Sequence, residues 1–192
     1  MYADWEASVA RQGASLDALL RARLGDAPAD VLDCACGIGT QALGLAAPGH
    51  RVTGTDLSAA AVARASREAS ARGPRLPVAA ADMRRFPCSD GRFDAVVCAD
   101  HALPHLLTAG DVRAAFAELH RVLRPGGLLL LSARPYDELR RSRPTSTAPQ
   151  VSADGERYDL KHFRLAQRKA RRDGDGAWVC AVRPTGRSPR TG

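Results

Sequence analysis

Strand-like and helix-like segments alternate through residues 29–133, and this alternation restricts the fold more than any other feature of the sequence. Short apolar runs predict strands at residues 31–34, 51–56, 76–81, 93–98 and 128–133. Helical spacing and helix caps predict helices at residues 41–47, 58–72 and 111–123. Such an alternation is typical of a parallel sheet with helices on both faces, so we expect an α/β fold.

The segments outside this core differ from it in composition. Residues 5–24 repeat apolar side chains at helical spacing, which predicts an N-terminal helix within residues 1–28. The predicted core covers residues 29–134. Residues 135–192 form a short basic C-terminal region that we expect to be partly disordered. Within it we predict two strands, paired antiparallel, at residues 158–165 and 177–182.

The formal net charge of +7 is not spread evenly over the chain. Residues 1–133 hold 14 Arg and 14 acidic residues, which sum to zero, whereas residues 134–192 hold 14 basic and 7 acidic residues. A fold that binds nucleic acid carries a basic patch on its own surface. Because the excess charge lies in the tail, we do not expect a nucleic-acid partner.

Three further features restrict the class of protein. No apolar run approaches the roughly 20 residues that a membrane-spanning helix needs, so we expect no membrane partner. Residues 1–6 show no basic patch followed by an apolar stretch, so we predict no secretory signal. The five cysteines are odd in number and scattered, which does not suit a disulfide framework. Together these features predict a cytoplasmic protein, and they leave a homo-oligomer open.

The stretch from Asp33 to Ala42, DCACGIGTQA, is the most informative part of the sequence. Gly37 and Gly39 let the backbone turn sharply and approach a ligand without a Cβ in the way. The N-terminus of the following helix offers free N–H groups and positive dipole potential. Asp56 ends the next strand, where a carboxylate can accept hydrogen bonds from both hydroxyls of a ribose. The pattern predicts a site for an adenosine-containing ligand at the carboxyl end of the sheet.

The glycine pattern alone leaves other interpretations open. Gly37-x-Gly39-x-x-Ala42 also satisfies the dinucleotide-binding fingerprint, and a tight turn that binds nothing has a similar local sequence. The pair Cys34-x-Cys36 suggests a metal, but it supplies two ligands where a structural zinc needs about four. We therefore predict no metal site and small buried thiols beside the turn.

Four segments, in order along the chain, resemble the motifs of the class I S-adenosylmethionine-dependent methyltransferases. They are residues 31–40 at the glycine turn, Asp82-Met83 after the third strand, residues 93–98 on the fourth strand and residues 123–129 at the turn into the fifth. The resemblance implies a Rossmann-like class I methyltransferase sheet, mostly parallel, with S-adenosyl-L-methionine as the cofactor. It implies cofactor contacts at Asp33, Ala35, Gly37, Gly39, Asp56, Leu57, Asp82, Met83 and Ala99.

Within that family the chain resembles the glycine/sarcosine N-methyltransferase-like branch. The segments that carry this resemblance are DCACG at 33–37, HALPHL at 101–106 and RPYD at 134–137. In this branch an arginine from a lid helix reaches the methionine carboxylate of the cofactor, which implies that role for Arg11 and a lid for residues 1–28. The resemblance also implies that Arg134 grips a substrate carboxylate, since a guanidinium matches a carboxylate bidentately. His101 and Tyr136 complete the implied catalytic set.

The chain also departs from this branch. His101 stands where the relatives usually have Asn, and only 59 residues follow residue 133, so we expect the C-terminal part of the sheet to be short or incomplete. The predicted reaction is N-methylation of a small-molecule substrate, an amino acid such as glycine or sarcosine. Other roles stay open for three residues: Arg134 paired with Asp137 at the surface, Arg11 on a solvated helix face, and His101 bracing its loop. Three alternative functions also stay open: an oxygen or other nitrogen acceptor, a non-catalytic cofactor-binding remnant, and an RNA methyltransferase that uses the basic tail.

Overall fold

The computed structural model describes residues 4–132, 150–151, 158–159 and 180–182. The helices in this part of the chain are α1 (Trp5–Leu24), α2 (Thr40–Ala46), α3 (Ala59–Arg72) and α4 (Ala109–Val122). The strands are β1 (Asp30–Cys34), β2 (Arg51–Asp56), β3 (Val78–Ala80), β4 (Phe93–Cys98), β5 (Leu123–Leu131), β6 (Gln150–Val151), β7 (Tyr158–Asp159) and β8 (Cys180–Val182). A 3-10 turn, Leu103–His105, lies between β4 and α4.

The strands form a mostly parallel sheet in the order β3-β2-β1-β4-β5-β8. The first five run parallel, and β8 joins the edge of β5 antiparallel. The chain starts in the middle of the sheet at β1, runs outward to β3, and then crosses back to β4 on the other side of β1. The loops that leave the carboxyl ends of β1 and β4 therefore separate at a topological switch point, where such sheets bind ligands.

Both faces of the sheet are buried beneath helices. Val31 and Leu32 are successive residues of β1, and they belong to two different core clusters. The first cluster contains side chains from α1, α2 and α3, including Leu20 and Leu45, and the second contains Leu119 from α4. Burial on both faces explains the nearly continuous apolar sequence of β4 and β5. The predicted α/β fold is confirmed.

Helix α1 packs directly on α2 through two glycines. A Cβ on Gly44 would lie 2.5 Å from the Val9 carbonyl oxygen and 2.7 Å from the Gly13 Cα, so a side chain there would force the helices apart. At the N-terminal end of α1, the Trp5 indole N–H donates to the Thr40 hydroxyl over 2.8 Å. These contacts place the start of α1 beside the glycine turn that precedes α2.

The predicted start of the fifth strand is wrong by five residues. β5 begins at Leu123, opposite Phe93, and after a shift in register its pairing with β4 resumes at Leu128. Residues 124–127 bulge from the ladder between these points, with Gly126 in the left-handed region at φ 80°. The Pro-Gly-Gly sequence signals a turn locally, but β4 continues beside it and keeps the chain in the strand direction.

The C-terminal strands pair differently from the prediction. β8 pairs antiparallel with β5, with Cys180 opposite Leu131, whereas β7 pairs with β6, with Tyr158 opposite Val151. The two predicted strands therefore do not pair with each other within the described residues. An unpaired strand edge such as that of β5 accepts a further strand. The local sequence of neither predicted C-terminal strand indicates that such an edge is available to it. Within the described residues, the three residues of β8 extend the sheet beyond β5.

Candidate functional site

The glycine turn connects β1 to α2 in a compact form. Ala35, Gly37 and Gly39 all have left-handed backbones, with φ of 64°, 55° and 92°. The Cys36 N–H donates to the Thr55 carbonyl over 2.8 Å, which fastens the turn to the end of β2, and the Gly39 N–H donates to the Cys36 carbonyl over 2.9 Å. Because the left-handed region is unfavourable for a residue with a Cβ, Ala35 holds backbone strain of about 1 kcal/mol or more.

The carboxylate of Asp56 joins this turn to the start of α3. Its Oδ2 accepts the Gly37 N–H over 2.8 Å, and its Oδ1 accepts the Ser58 N–H over 2.8 Å. Each oxygen keeps a second acceptor position, and the residue is half-buried, so both oxygens can accept sugar hydroxyls. The N–H groups of Gly37 and Gly39 both donate to acceptors within the protein.

Asp33 lies in β1 near its carboxyl end, and only 1% of the residue is exposed. The Ala42 N–H in the first turn of α2 donates to its carboxylate, while Oδ2 has no hydrogen-bond partner. Burial raises the pKa of this carboxyl to about 8, and the negative charges of Asp56 and Asp100 add to the effect. A buried carboxylate oxygen without a partner is costly, so this position fits a cationic group of a ligand.

Asp100 and His101 form a strained turn directly after β4, with φ of 54° and 68°. Residues other than glycine rarely adopt this backbone, which costs about 1–3 kcal/mol per residue and occurs mainly at functional sites. Asp33 pairs with Val97 across β1 and β4, so the turn leaves the sheet beside the Asp33 end of β1. Asp100 is missing from the sequence prediction, although an acid that directly follows a buried strand is a signal that could have found it.

Three of the predicted cofactor contacts, Leu57, Asp82 and Met83, follow β2 and β3, which pair in parallel register. Leu57 is 75% exposed, so an apolar surface stays open beside the carboxylate of Asp56. The carboxylate of Asp82 is bonded to Arg84, and Met83 is half-buried against the core cluster beneath α4. This edge of the site offers an apolar surface and a carboxylate, a combination that fits a planar base with an amino group.

Some of the other predicted site residues lie in the part of the chain that the structure describes, and the rest lie outside it. Ala99 is half-buried directly after β4, and His101 is buried at 9% exposure. Arg11 is exposed on α1, and its contact with a cofactor stays a prediction. Arg134 and Tyr136 lie outside the described residues, so their roles toward the substrate also stay predictions.

The thiols of the turn are buried, as predicted. A hydrogen bond with the Cys98 thiol, together with burial, raises the pKa of the Cys34 thiol. The Cys36 Sγ lies against Gly54, where an added Cβ would come within 2.9 Å of it. Among the residues that the structure describes, no three side chains of His, Cys, Asp or Glu gather as metal ligands.

The strand order, the left-handed glycine turn and the carboxylate that ends β2 define a Rossmann-like nucleoside-binding domain. The sequence profile of a family described as "Methyltransferase domain" matches residues 31–127, from β1 to the β5 bulge. The chain therefore belongs to this family, within the class I S-adenosylmethionine-dependent methyltransferases.

The known proteins that are similar to this chain are named for different substrates. A glycine/sarcosine N-methyltransferase of Parasynechococcus marenigrum is 37% identical over 138 residues, which are 71% of this chain and 48% of that protein. A demethylmenaquinone methyltransferase of Thermus thermophilus is 40% identical over 114 residues, 58% of this chain and 50% of that protein. The chain thus spans about half the length of the curated relatives it matches. Among solved structures, the PH0226 protein of Pyrococcus horikoshii OT3 shares the fold with a TM-score of 0.69, at 20% identity over 90% of this chain and 89% of that one.

The site residues fit S-adenosylmethionine, the cofactor that this family implies. The unpartnered Oδ2 of Asp33 suits the ammonium of the methionine portion, because a charged donor would satisfy the buried oxygen. The open acceptor positions of Asp56 suit the two ribose hydroxyls, and the exposed face of Leu57 suits a base.

Proposed function

We propose that the chain binds S-adenosylmethionine and transfers its methyl group to the amine of a small amino acid such as glycine or sarcosine. The observation that carries the proposal is the buried Asp33 carboxylate, whose Oδ2 lacks a partner near the carboxyl end of β1. A ligand with an ammonium group supplies that partner, as the methionine portion of the cofactor does. Similarity to a glycine/sarcosine N-methyltransferase over 71% of the chain supports the choice of acceptor.

In this proposal each of three carboxylates binds a different part of the cofactor. Asp33 pairs with the ammonium, Asp56 accepts the ribose hydroxyls, and Asp82 accepts the amino group of the adenine. They lie at or just beyond the ends of β1, β2 and β3, which are neighbours in the sheet, so the ligand runs from the switch point outward. The Asp56 oxygens are already oriented by two backbone N–H groups, which reduces the ordering cost of binding.

The acceptor end of the site begins at the strained turn after β4. When bound, S-adenosylmethionine supplies a methyl group on a positively charged sulfur, which is the electrophile. This chain has to hold the amine in line with that methyl and exclude water, and it needs no strong base. In the proposal the buried His101 ring orients the neutral amine, and Arg134 binds the substrate carboxylate.

Calorimetric titration of the purified chain with S-adenosylhomocysteine tests the cofactor half of the proposal. We expect saturable binding, and we expect Asp56→Ala to weaken it by about 1–3 kcal/mol because the ribose hydroxyls lose a charged acceptor. Asp90→Ala is the control, since Asp90 is an exposed acid that pairs with Arg121 near the amino end of β4. A folded wild-type chain that does not bind would contradict the proposal.

Methyl transfer to glycine and sarcosine tests the acceptor half, with formation of S-adenosylhomocysteine as the readout. Arg134→Ala should raise the KM for the amino acid at least tenfold, because a bidentate bond to the substrate carboxylate is lost. Its affinity for S-adenosylhomocysteine should stay near the wild-type value. An equal KM in the two proteins would exclude this role for Arg134.

A different small-molecule acceptor is the second candidate. The similarity to a demethylmenaquinone methyltransferase at 40% identity favours it. Leu107 also favours it, because this apolar side chain is 91% exposed in the loop that leads from β4 to α4. Cofactor binding combined with turnover of an apolar ring compound, and none of glycine or sarcosine, would select this candidate.

A further inference from the structure

Arg84 bonds to the carboxylate of Asp82 through three donors. Its backbone N–H donates to Oδ1 over 2.8 Å, its Nε lies 3.0 Å from both oxygens, and its Nη2 lies 2.5 Å from Oδ2. The guanidinium lowers the pKa of the Asp82 carboxyl, which keeps it an ionised acceptor. Arg84 thus binds the carboxylate of Asp82, two residues before it, through both its backbone N–H and its guanidinium.

These bonds restrict the direction from which the Asp82 carboxylate can accept a further hydrogen bond. A carboxylate oxygen has two acceptor positions. The Arg84 Nε–H is shared between the two oxygens, at 3.0 Å from each. The Arg84 backbone N–H takes a position on Oδ1, and the Nη2 takes one on Oδ2. Three donors thus meet four acceptor positions, which fixes the plane of the carboxylate and leaves one position open for a further donor.

The other end of the Arg84 guanidinium is anchored to α4. Its Nη1 donates to Asp111 Oδ1 over 2.6 Å, and Asp111 Oδ2 accepts the hydroxyl of Thr108 over 2.7 Å. Thr108 is the N-cap of α4, and it ends the loop that begins after β4. A chain of charged contacts thus connects the turn after β3 with the loop after β4, and it prevents Arg84 from rotating away from Asp82.

We propose that Arg84 is a positioning residue for the nucleobase, which fixes the Asp82 carboxylate so that its open acceptor position receives the amino group of adenine. The inference rests on the proposed function, because it takes the cofactor's base to lie at Asp82. The Arg84 side chain is 43% exposed, and ion pairs this exposed contribute little to stability. The several bonds from Arg84 therefore act mainly by orienting the Asp82 carboxylate.

Base preference is the readout that separates positioning from a merely structural role. The full chain is titrated with S-adenosylhomocysteine and with S-inosylhomocysteine, in which a keto oxygen replaces the amino group. Arg84→Ala should lower the wild-type preference for adenine about fivefold, because only the adenine ligand loses an oriented acceptor. Asp111→Asn should lower it in the same direction by a smaller factor, since it loosens the guanidinium without removing it.

Arg85→Ala is the matched control, because it removes the same charge at the next position. The Arg85 backbone N–H donates to the Asp82 carbonyl over 2.9 Å, and alanine keeps that bond, so the base preference should not change. If Arg84→Ala does not fold, Arg84→Lys replaces it, since lysine keeps the charge without the planar fork. An unchanged preference in the folded Arg84 variant overturns the inference alone. A wild-type chain that binds neither ligand overturns the proposed function and the inference together.

Discussion

The buried carboxyl group of Asp33 suits a cationic ligand group, but its ionisation lowers the stability of the folded chain. Burial disfavours its charged form, and its pKa of about 8 compares with an ordinary value of 3.8. Between these two pH values the folded chain holds a proton that the unfolded chain has lost. The contribution of Asp33 to stability is therefore fully present below about pH 4 and is lost as the pH rises to about 8.

Asp33→Asn removes this dependence, because the amide does not titrate. Between pH 5 and pH 8, the free energy of unfolding of the wild type should fall more steeply than that of the variant, by up to about 1.4 kcal/mol per pH unit. Urea unfolding at a series of pH values measures both slopes, and the other titrating groups are common to the two proteins. Parallel curves would contradict the assignment of the raised pKa to Asp33.

At the scale of the elements, α1 is joined to the rest of the chain at both polar and apolar contacts. Its Gly13 crosses Gly44 of α2 with the backbones in contact. The guanidinium of Arg72 on α3 lies 4.7 Å from the centre of the Trp5 ring and pairs with the carboxylate of Glu6. Because α2 starts at the glycine turn, the packing of α1 also determines where the first turn of α2 and its Ala42 N–H stand relative to Asp33.

Gly44→Ala tests the helix crossing. The new methyl group would lie 2.5 Å from the Val9 carbonyl oxygen, so we expect a loss of about 1–3 kcal/mol in the free energy of unfolding. Gly110→Ala in α4 is the matched control, because its nearest neighbour, the Thr108 hydroxyl, would be 3.6 Å away. That variant should be as stable as the wild type or more stable by up to about 1 kcal/mol. Equal effects of the two substitutions would refute the close crossing.

At the scale of the whole molecule, the excess of positive charge lies outside the part of the chain that forms the five parallel strands. Residues 1–133 carry 14 Arg and 14 acidic residues, and the excess of basic residues lies in 134–192. In the part of the chain that the structure describes, none of the helices has the length and hydropathy that crossing a membrane requires. The residues proposed to bind the cofactor lie in the electrically balanced part of the chain.

Any association with RNA should therefore be weak and sensitive to salt. We expect fluorescence anisotropy with a single-stranded RNA to show binding at about 50 mM salt that is lost by about 200 mM, because only phosphate contacts from the tail contribute. Replacing Arg171 and Arg172 with Gln should weaken this binding, whereas Arg113→Gln in α4 should not. Tight binding that survives the higher salt would favour the RNA methyltransferase alternative.

Local signals predicted much of the fold and part of the site. Ser58 caps α3 as its type and position indicate, with its hydroxyl accepting the Ala61 N–H. Asp56 was recognisable because an acid at the end of the second strand has a known role in such sheets. The register shift in β5 was not predictable, because it depends on how β4 lies beside the Pro-Gly-Gly segment. Asp100 was missed since its left-handed backbone is a property of the folded turn.

The sequence by itself determined the α/β class, the parallel core and the edge of the sheet that carries the candidate site, because periodicity, caps and the glycine turn act over a few residues. Only the tertiary structure decided that Asp33 keeps an oxygen without a partner and that β8 pairs with β5. It alone joined Arg84 to Asp111, which lie 27 residues apart in the chain. Each of these depends on groups that meet only when distant segments pack, and no local pattern records such a meeting.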